Sequence, residues 1–589
     1  IIMLTSTLVQ ALLAGAAAAS PLVSKADDGD APRVTIKNGT LVGVHSPSYD
    51  QDFFLGVPFS RPPVGDLRFR NPEPINESWA GERAAQKLPP ACVGYGGAQW
   101  GYELSEDCLY LNVVRPSRAS PAEPLPVLVW IYGGGFVQGS AADLRNNLSF
   151  IVDRSVQLGQ PILGVTVNYR LSAWGFLSSK EVADGGDSNF GLRDQRMSLE
   201  WIRDNIAAFG GDPAKVTIWG ESAGASSVAR HMMAFDGRDD GLFRAGIMAS
   251  GRFFADDLDM TATQSNYDTL VSKAGCQGGD GAGGSSLECL RALPFEKLNA
   301  AINSSTELLT WGPMVDSDMI ARSSHQQFLD GAYLQIPIIV GDNTAEGTAF
   351  APKGINMTEQ FRDFLLSSPS ALMSDAYAHQ LLAAYPERSA DDCLPNLPRD
   401  YEPPAYPYGT QFRRVATYVG DSMISNRRAT CTAWAAARND LANKSAPAAY
   451  CYRFNAVPAW AGPLDGATHF AEVAFAMLNL EGVGYAPNRT PPFAGLGEEF
   501  RDLARLMAGD WIAFVNSGDP NRWDGRTDAA RTLGGGGDDK KVPAWPVYGQ
   551  ATTDGGPPRN FVYDANITSS VEDDTWRQIG MEMIQAGQL

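Results

Sequence analysis

Phe209-Gly210-Gly211-Asp212-Pro213-Ala214-Lys215-Val216-Thr217-Ile218-Trp219-Gly220-Glu221-Ser222-Ala223-Gly224 decides the fold. Its apolar run at 216–219 predicts a buried strand, and 223–235 reads as a helix. Between them lies G-x-S-x-G, a turn so tight that the residues flanking the serine must be small. Its strain pushes the Ser222 Oγ out above the sheet edge. Glycine and serine are common in loops, so the five residues alone say little. With a strand before, a helix after and Phe-Gly-Gly-Asp-Pro ending the helix upstream, they read as a nucleophile elbow. An elbow of this kind implies an α/β fold built on a large, mostly parallel central sheet flanked by helices.

A serine hydroxyl is a poor nucleophile until a base takes its proton, and the usual base is histidine. There are five histidines: His45, His231, His325, His379 and His469. Elbow enzymes run in the order serine, acid, histidine, with the base on a late loop. That order excludes His45 and His231 and leaves His325 little room for an acid. His379 falls in the helical pattern of residues 375–382, where a helix-face histidine is the plainer reading. His469 follows the strand-like Ala449-Tyr450-Cys451-Tyr452-Arg453-Phe454 and lies in the glycine-led loop Gly466-Ala467-Thr468-His469-Phe470, which makes it the base. For the acid, the strand-like stretch 336–340 runs into Gly341-Asp342-Asn343-Thr344-Ala345-Glu346-Gly347-Thr348. Asp342 and Glu346 both lie at the C-terminal end of that strand, where open α/β sheets build their sites, and spacing does not choose between them. Upstream, Val127-Leu128-Val129-Trp130-Ile131-Tyr132 is an apolar strand entering Gly133-Gly134-Gly135-Phe136. Three glycines let the backbone approach a substrate carbonyl and aim N–H groups at it; a plain flexible turn is the competing reading.

The chain resembles the type-B carboxylesterase/lipase family, the large α/β-hydrolases that include fungal extracellular lipases and cholinesterases. The serine stretch and Glu106-Asp107-Cys108-Leu109-Tyr110-Leu111-Asn112-Val113 carry the likeness most strongly. Weaker matches run nearly end to end: residues 59–69, Asn168-Tyr169-Arg170-Leu171, Gly191-Leu192-Arg193-Asp194-Gln195, residues 289–294 and Gly518-Asp519-Pro520-Asn521. The resemblance implies an α/β-hydrolase fold in one domain over residues 21–589. It selects Glu346 as the acid, because the family pattern Asn-Thr-x-Glu-Gly-Thr falls on residues 343–348, and it supports His469. It implies the N–H groups of Gly134, Gly135 and Ala223 as oxyanion donors, and disulfides Cys92–Cys108 and Cys276–Cys289. The implied activity is carboxylic ester hydrolysis through an acyl-enzyme, without metal or organic cofactor.

At 589 residues, with 44% hydrophobic and 19% charged residues, the composition is that of a packed globular protein. A net charge of −20 argues against nucleic acid or an anionic membrane as partner, and otherwise means only solubility. Residues 3–20 are apolar and end in small residues, as a secretory signal does; Ile1 and Ile2 before Met3 look like an artefact, and no later stretch is long enough to span a bilayer. Eight N-x-S/T sequons, at Asn38, Asn76, Asn147, Asn303, Asn356, Asn443, Asn488 and Asn566, suit a secreted glycoprotein. So do seven cysteines, of which Cys393, Cys431 and Cys451 remain unassigned. A monomer or weak homodimer is expected.

Residues 93–107 stand where fungal lipases of the family carry a long amphipathic lid. Rich in glycine and short, they cannot build such a helix, so short- to medium-chain or aromatic esters are the expected substrates. Phe136, Trp100, Tyr102 and Glu221 are expected to line the substrate site. A long-chain lipase or sterol esterase is the main alternative. A cholinesterase using Trp100 for a cation–π contact is a weaker one, since an aromatic cage needs more than one ring. A catalytically dead adhesion homologue is disfavoured by the presence of Ser222, Glu346 and His469.

Overall fold

The computed structural model describes residues 31–587 apart from 252, 254–259, 279–283, 368–372, 388–391, 395–407, 440–445, 488, 527–540, 551–555 and 566–568. The expected signal segment and the sequons at Asn443, Asn488 and Asn566 lie outside the described residues. Eleven strands form the main sheet: β1 Val44–Ser46, β2 Gln51–Pro58, β3 Tyr110–Pro116, β4 Leu125–Ile131, β5 Leu163–Val167, β6 Gly211–Glu221, β7 Ala245–Ala249, β8 Ile338–Asn343, β9 Ala449–Phe454, β10 Arg559–Tyr563 and β11 Ser570–Asp573. Their spatial order is β11-β10-β9-β8-β7-β6-β4-β5-β3-β2-β1. From β10 across to β5 every pairing is parallel, and antiparallel strands finish both edges. This is the α/β-hydrolase fold.

The centre of the sheet is buried on both faces, which is why its strands read as continuous apolar runs rather than alternating ones. β4 (Leu-Pro-Val-Leu-Val-Trp-Ile) is buried from its second residue to its last, and Trp130 packs edge-on against Trp219 of β6 with ring centroids 4.5 Å apart. Helices Phe190–Asn205, Ala223–Gly237, Phe412–Asn439 and Glu498–Ser517 cover it. Parallel register then sets the site. Gly220 pairs with Ile131, Glu221 with Ala249, and Ala249 with Gly341. The C-terminal ends of β4, β6, β7 and β8 therefore stand level, and the loops after them emerge side by side.

The elbow strand begins earlier than its apolar run suggests. Gly211 pairs with Leu125, and an irregularity between Gly211 and Val216 absorbs Asp212 and Pro213 before regular pairing resumes. The incoming helix stops as expected, with Gly210 in the left-handed region at φ 85°.

Candidate active site

Ser222 sits at φ 57°, ψ −123°, a conformation costing about 1–3 kcal/mol that persists only where the surroundings enforce it. The enforcement is visible. Ser222 N–H donates to Ala249 O at 2.9 Å. A Cβ on Gly220 would lie 2.2 Å from the Gly224 carbonyl carbon, and one on Gly224 would lie 2.0 Å from Ile131 O, so neither position accepts a side chain. Ala223 opens the helix Ala223–Gly237, and its N–H has no acceptor inside that helix. The loop after β4 comes in beside it, with Gly134 at φ 103° and Gly135 at φ 66°. A Cβ on Gly133 would stand 2.9 Å from the Ser222 Cβ.

His469 Nδ1 lies 2.6 Å from Glu346 Oε2. Glu346 is fully buried, and its Oε1 accepts from Ser250 Oγ at 2.5 Å and Asn343 N–H at 2.8 Å. Asp342, the competing acid, is equally buried but turns away to Arg427, with Oδ2 3.3 Å from Nε. Burial and the neighbouring Glu346 charge push Asp342 up to about 7. The geometry therefore separates two carboxylates that spacing alone leaves equivalent.

Two further carboxylates approach the histidine. Glu221, expected to line the substrate site, is buried, with Oε1 3.1 Å from His469 Nε2. Among the described residues no hydrogen bond joins Nε2 to Ser222 Oγ; such contacts tighten when substrate binds. Glu472, Ser250 and Asn343 escaped the sequence reading. Glu472 accepts from Asn343 Nδ2 at 2.5 Å and lies 3.4 Å from Ser250 Oγ. Burial opposes charge on His469, but Glu221, Glu346 and Glu472 outweigh it and raise the imidazole well above its ordinary value.

If His469 acts as a general base it does so as the neutral ring, and a raised value extends the protonated form to higher pH. In the free enzyme kcat/KM is expected to fall with acidification through an inflection above about 6.5, the ordinary imidazole value. Glu221→Gln removes the carboxyl group beside Nε2 and moves that inflection to lower pH. A wild-type inflection at or below the ordinary value would contradict the carboxylate cluster.

Phe350, another residue that carries no sequence signal, covers the histidine: its ring is half exposed and meets the His469 ring edge-on at 4.8 Å. Phe136 packs against Phe176 at 5.1 Å. Tyr102 reaches to 3.5 Å from Asp143. Asp143 pairs with Arg145, whose guanidinium lies 5.3 Å over Phe470, next to the histidine. Trp100 is 77% exposed, and among the described residues no aromatic ring packs directly against it.

These elements match known proteins. A model of the carboxylesterase family matches residues 30–555. The chain belongs to the carboxylesterase family. Its activity is carboxylic ester hydrolysis. It is 36% identical over 428 residues to Lipase 4 of Diutina rugosa, covering 66% of this chain and 75% of that one. It is also 36% identical over 433 residues to Secreted lipase 1 of Botryotinia fuckeliana, covering 66% and 72%. The crystal structure of Aspergillus niger EstA superposes with a TM-score of 0.75 at 25% identity, over 95% of this chain and 99% of that one.

Other expected features of this carboxylesterase vary in fit. Cys92–Cys108 and Cys276–Cys289 are bridged, Cys431 pairs with Cys451, and Cys393 is a buried free thiol. Asn76, Asn303 and Asn356 are exposed. Asn38 is 5% exposed, and its amide donates to Ile75 O and Glu77 O. Asn147 is half-buried, with its Nδ2 shielded from solvent. Among the described residues no helix is long and apolar enough to cross a membrane.

Proposed function

We propose a secreted serine esterase that cleaves short- to medium-chain or aromatic carboxylic esters in two acyl-transfer steps. Ser222 Oγ attacks the ester carbonyl while His469 takes its proton, and Glu346 holds the imidazole tautomer and stabilises the imidazolium. The N–H groups of Gly134, Gly135 and Ala223 receive the oxyanion, each contributing roughly 3 kcal/mol in the transition state. His469 then protonates the leaving alcohol, and water, deprotonated by His469, releases the acid and regenerates Ser222. The supporting observation is the Glu346–His469 contact of 2.6 Å together with the strained backbone of Ser222 at the elbow. Secretion rests on the signal-like residues 3–20, the exposed sequons, three disulfides and the secreted relative.

The relatives named as lipases favour a second reading, triacylglycerol hydrolysis at an oil surface. The segment 93–107 separates the two, since it is too short to lift from a deep acyl tunnel. Tributyrin hydrolysis is expected to follow ordinary saturation through the solubility limit, with a soluble ester as control. A sharp rise on emulsification would give the lipase reading precedence.

A further inference from the structure

The loop closed by Cys92–Cys108 and the glycine loop 133–139 are joined along their length. Tyr95 N–H donates to Val137 O at 2.8 Å. Ala98 N–H donates to Gln138 Oε1 at 3.0 Å, and Gly139 N–H donates to Gln99 Oε1 at 3.2 Å. The arrangement is reciprocal: each loop supplies one glutamine whose carbonyl accepts a backbone N–H of the other. Gln99 is buried at 5% exposure, and its Nε2 donates to Cys92 O at 2.9 Å, tying the clasp back to the disulfide. Glycines clear the space for it. A Cβ on Gly94 would lie 2.5 Å from Gln99 Nε2, and one on Gly96 would lie 2.1 Å from Gln138 Oε1.

The glycine loop needs such support. Gly134, Gly135, Phe136 and Gly139 all have positive φ, and at Phe136 (φ 60°) that conformation is strained. Its own bonds, Val137 N–H and Gln138 N–H to Gly134 O at 3.1 and 3.2 Å and Ser172 N–H to Phe136 O at 2.7 Å, fix the turn but not its placement against the disulfide loop. The glutamine clasp, together with the Tyr95 N–H to Val137 O bond, does that.

We propose that Gln99 and Gln138 are positioning residues that hold the Gly134 and Gly135 N–H groups on the oxyanion, making residues 93–107 a fixed brace rather than a lid. This rests on the oxyanion reading of the previous subsection. Because the oxyanion exists only in the transition state and the tetrahedral intermediate, loosening the brace acts on turnover rather than on ground-state binding.

The test uses the full chain with p-nitrophenyl butyrate and two inhibitors: an alkyl trifluoromethyl ketone, whose serine adduct carries an oxyanion, and the matching methyl ketone. Gln99→Ala and Gln138→Ala are expected to lower kcat by about 10- to 100-fold, short of or equal to removing one oxyanion donor, with KM within about threefold. Trifluoromethyl ketone affinity falls in parallel, and methyl ketone affinity does not. Gln138→Glu, which keeps the acceptor, restores most of the turnover; should Gln99→Ala fail to fold, the Gln138 pair decides. Wild-type kcat in the alanine variants, unchanged trifluoromethyl ketone affinity, or no rescue by Gln138→Glu would overturn the brace. Ser222→Ala, measured alongside, separates the two readings: if it is dead while the glutamine variants behave as wild type, only the brace fails. If it retains turnover, the acyl-transfer reading fails and takes the brace with it.

Discussion

Ser222→Ala is expected to reduce ester turnover by at least about 10⁴-fold, the scale seen when a triad nucleophile is removed, while the protein stays folded. The change deletes one hydroxyl that, among the described residues, makes no hydrogen bond to His469. Alanine removes no packing atoms from the elbow beyond that oxygen, and the turn is enforced by Gly220, Gly224 and the Ser222 N–H bond to Ala249 O rather than by the hydroxyl. A loss of activity accompanied by loss of cooperative thermal unfolding would mean that the hydroxyl supports the turn. Full activity in the variant would remove Ser222 from the mechanism.

Glu346→Gln is the second large effect, with kcat expected to fall by about 10³- to 10⁴-fold. The amide keeps the shape but not the charge, so the imidazolium loses its stabilising carboxylate and the tautomer of His469 is no longer fixed. Ser250 and Asn343 now donate to the oxygen of an amide rather than of a carboxylate. Asp342→Asn is expected to change kcat by less than about tenfold, because Asp342 faces Arg427 rather than His469. Its effect falls on stability, since it alters the buried contact between Asp342 and Arg427. Stopped-flow or steady-state turnover of the two variants on one soluble ester checks both statements, and a reversal of their order would make Asp342 the third member.

The sequence revealed most where chemistry forces composition. The elbow needs small residues beside Ser222, and the turns 220–224 and 133–135 are legible as glycine patterns for that reason. The strand and loop before His469 were equally readable. The acid was not: Asp342 and Glu346 are four residues apart at one strand end, and only the family pattern, and then the turn of Asp342 toward Arg427, distinguishes them. Ser250, Glu472 and Phe350 were hidden because they come from separate loops that parallel register brings level, and no local pattern marks them. Glu221 was expected to line the substrate site, but its buried approach to His469 depends on the path of the later histidine loop. The burial of Asn38 was hidden for a related reason. A three-residue motif carries no information on burial, and here residues 75–77 fold over it.

The claim that Ser222 is the nucleophile of a serine–histidine–glutamate triad is tested most directly by covalent labelling. Wild-type protein is treated with a fluorophosphonate probe, digested and mapped by mass spectrometry, with the His469→Ala variant in parallel. The account predicts one phosphonylated site, Ser222, with stoichiometric loss of esterase activity in wild type and strongly slowed labelling in His469→Ala. Labelling at another serine, or wild-type labelling rates without His469, would contradict it.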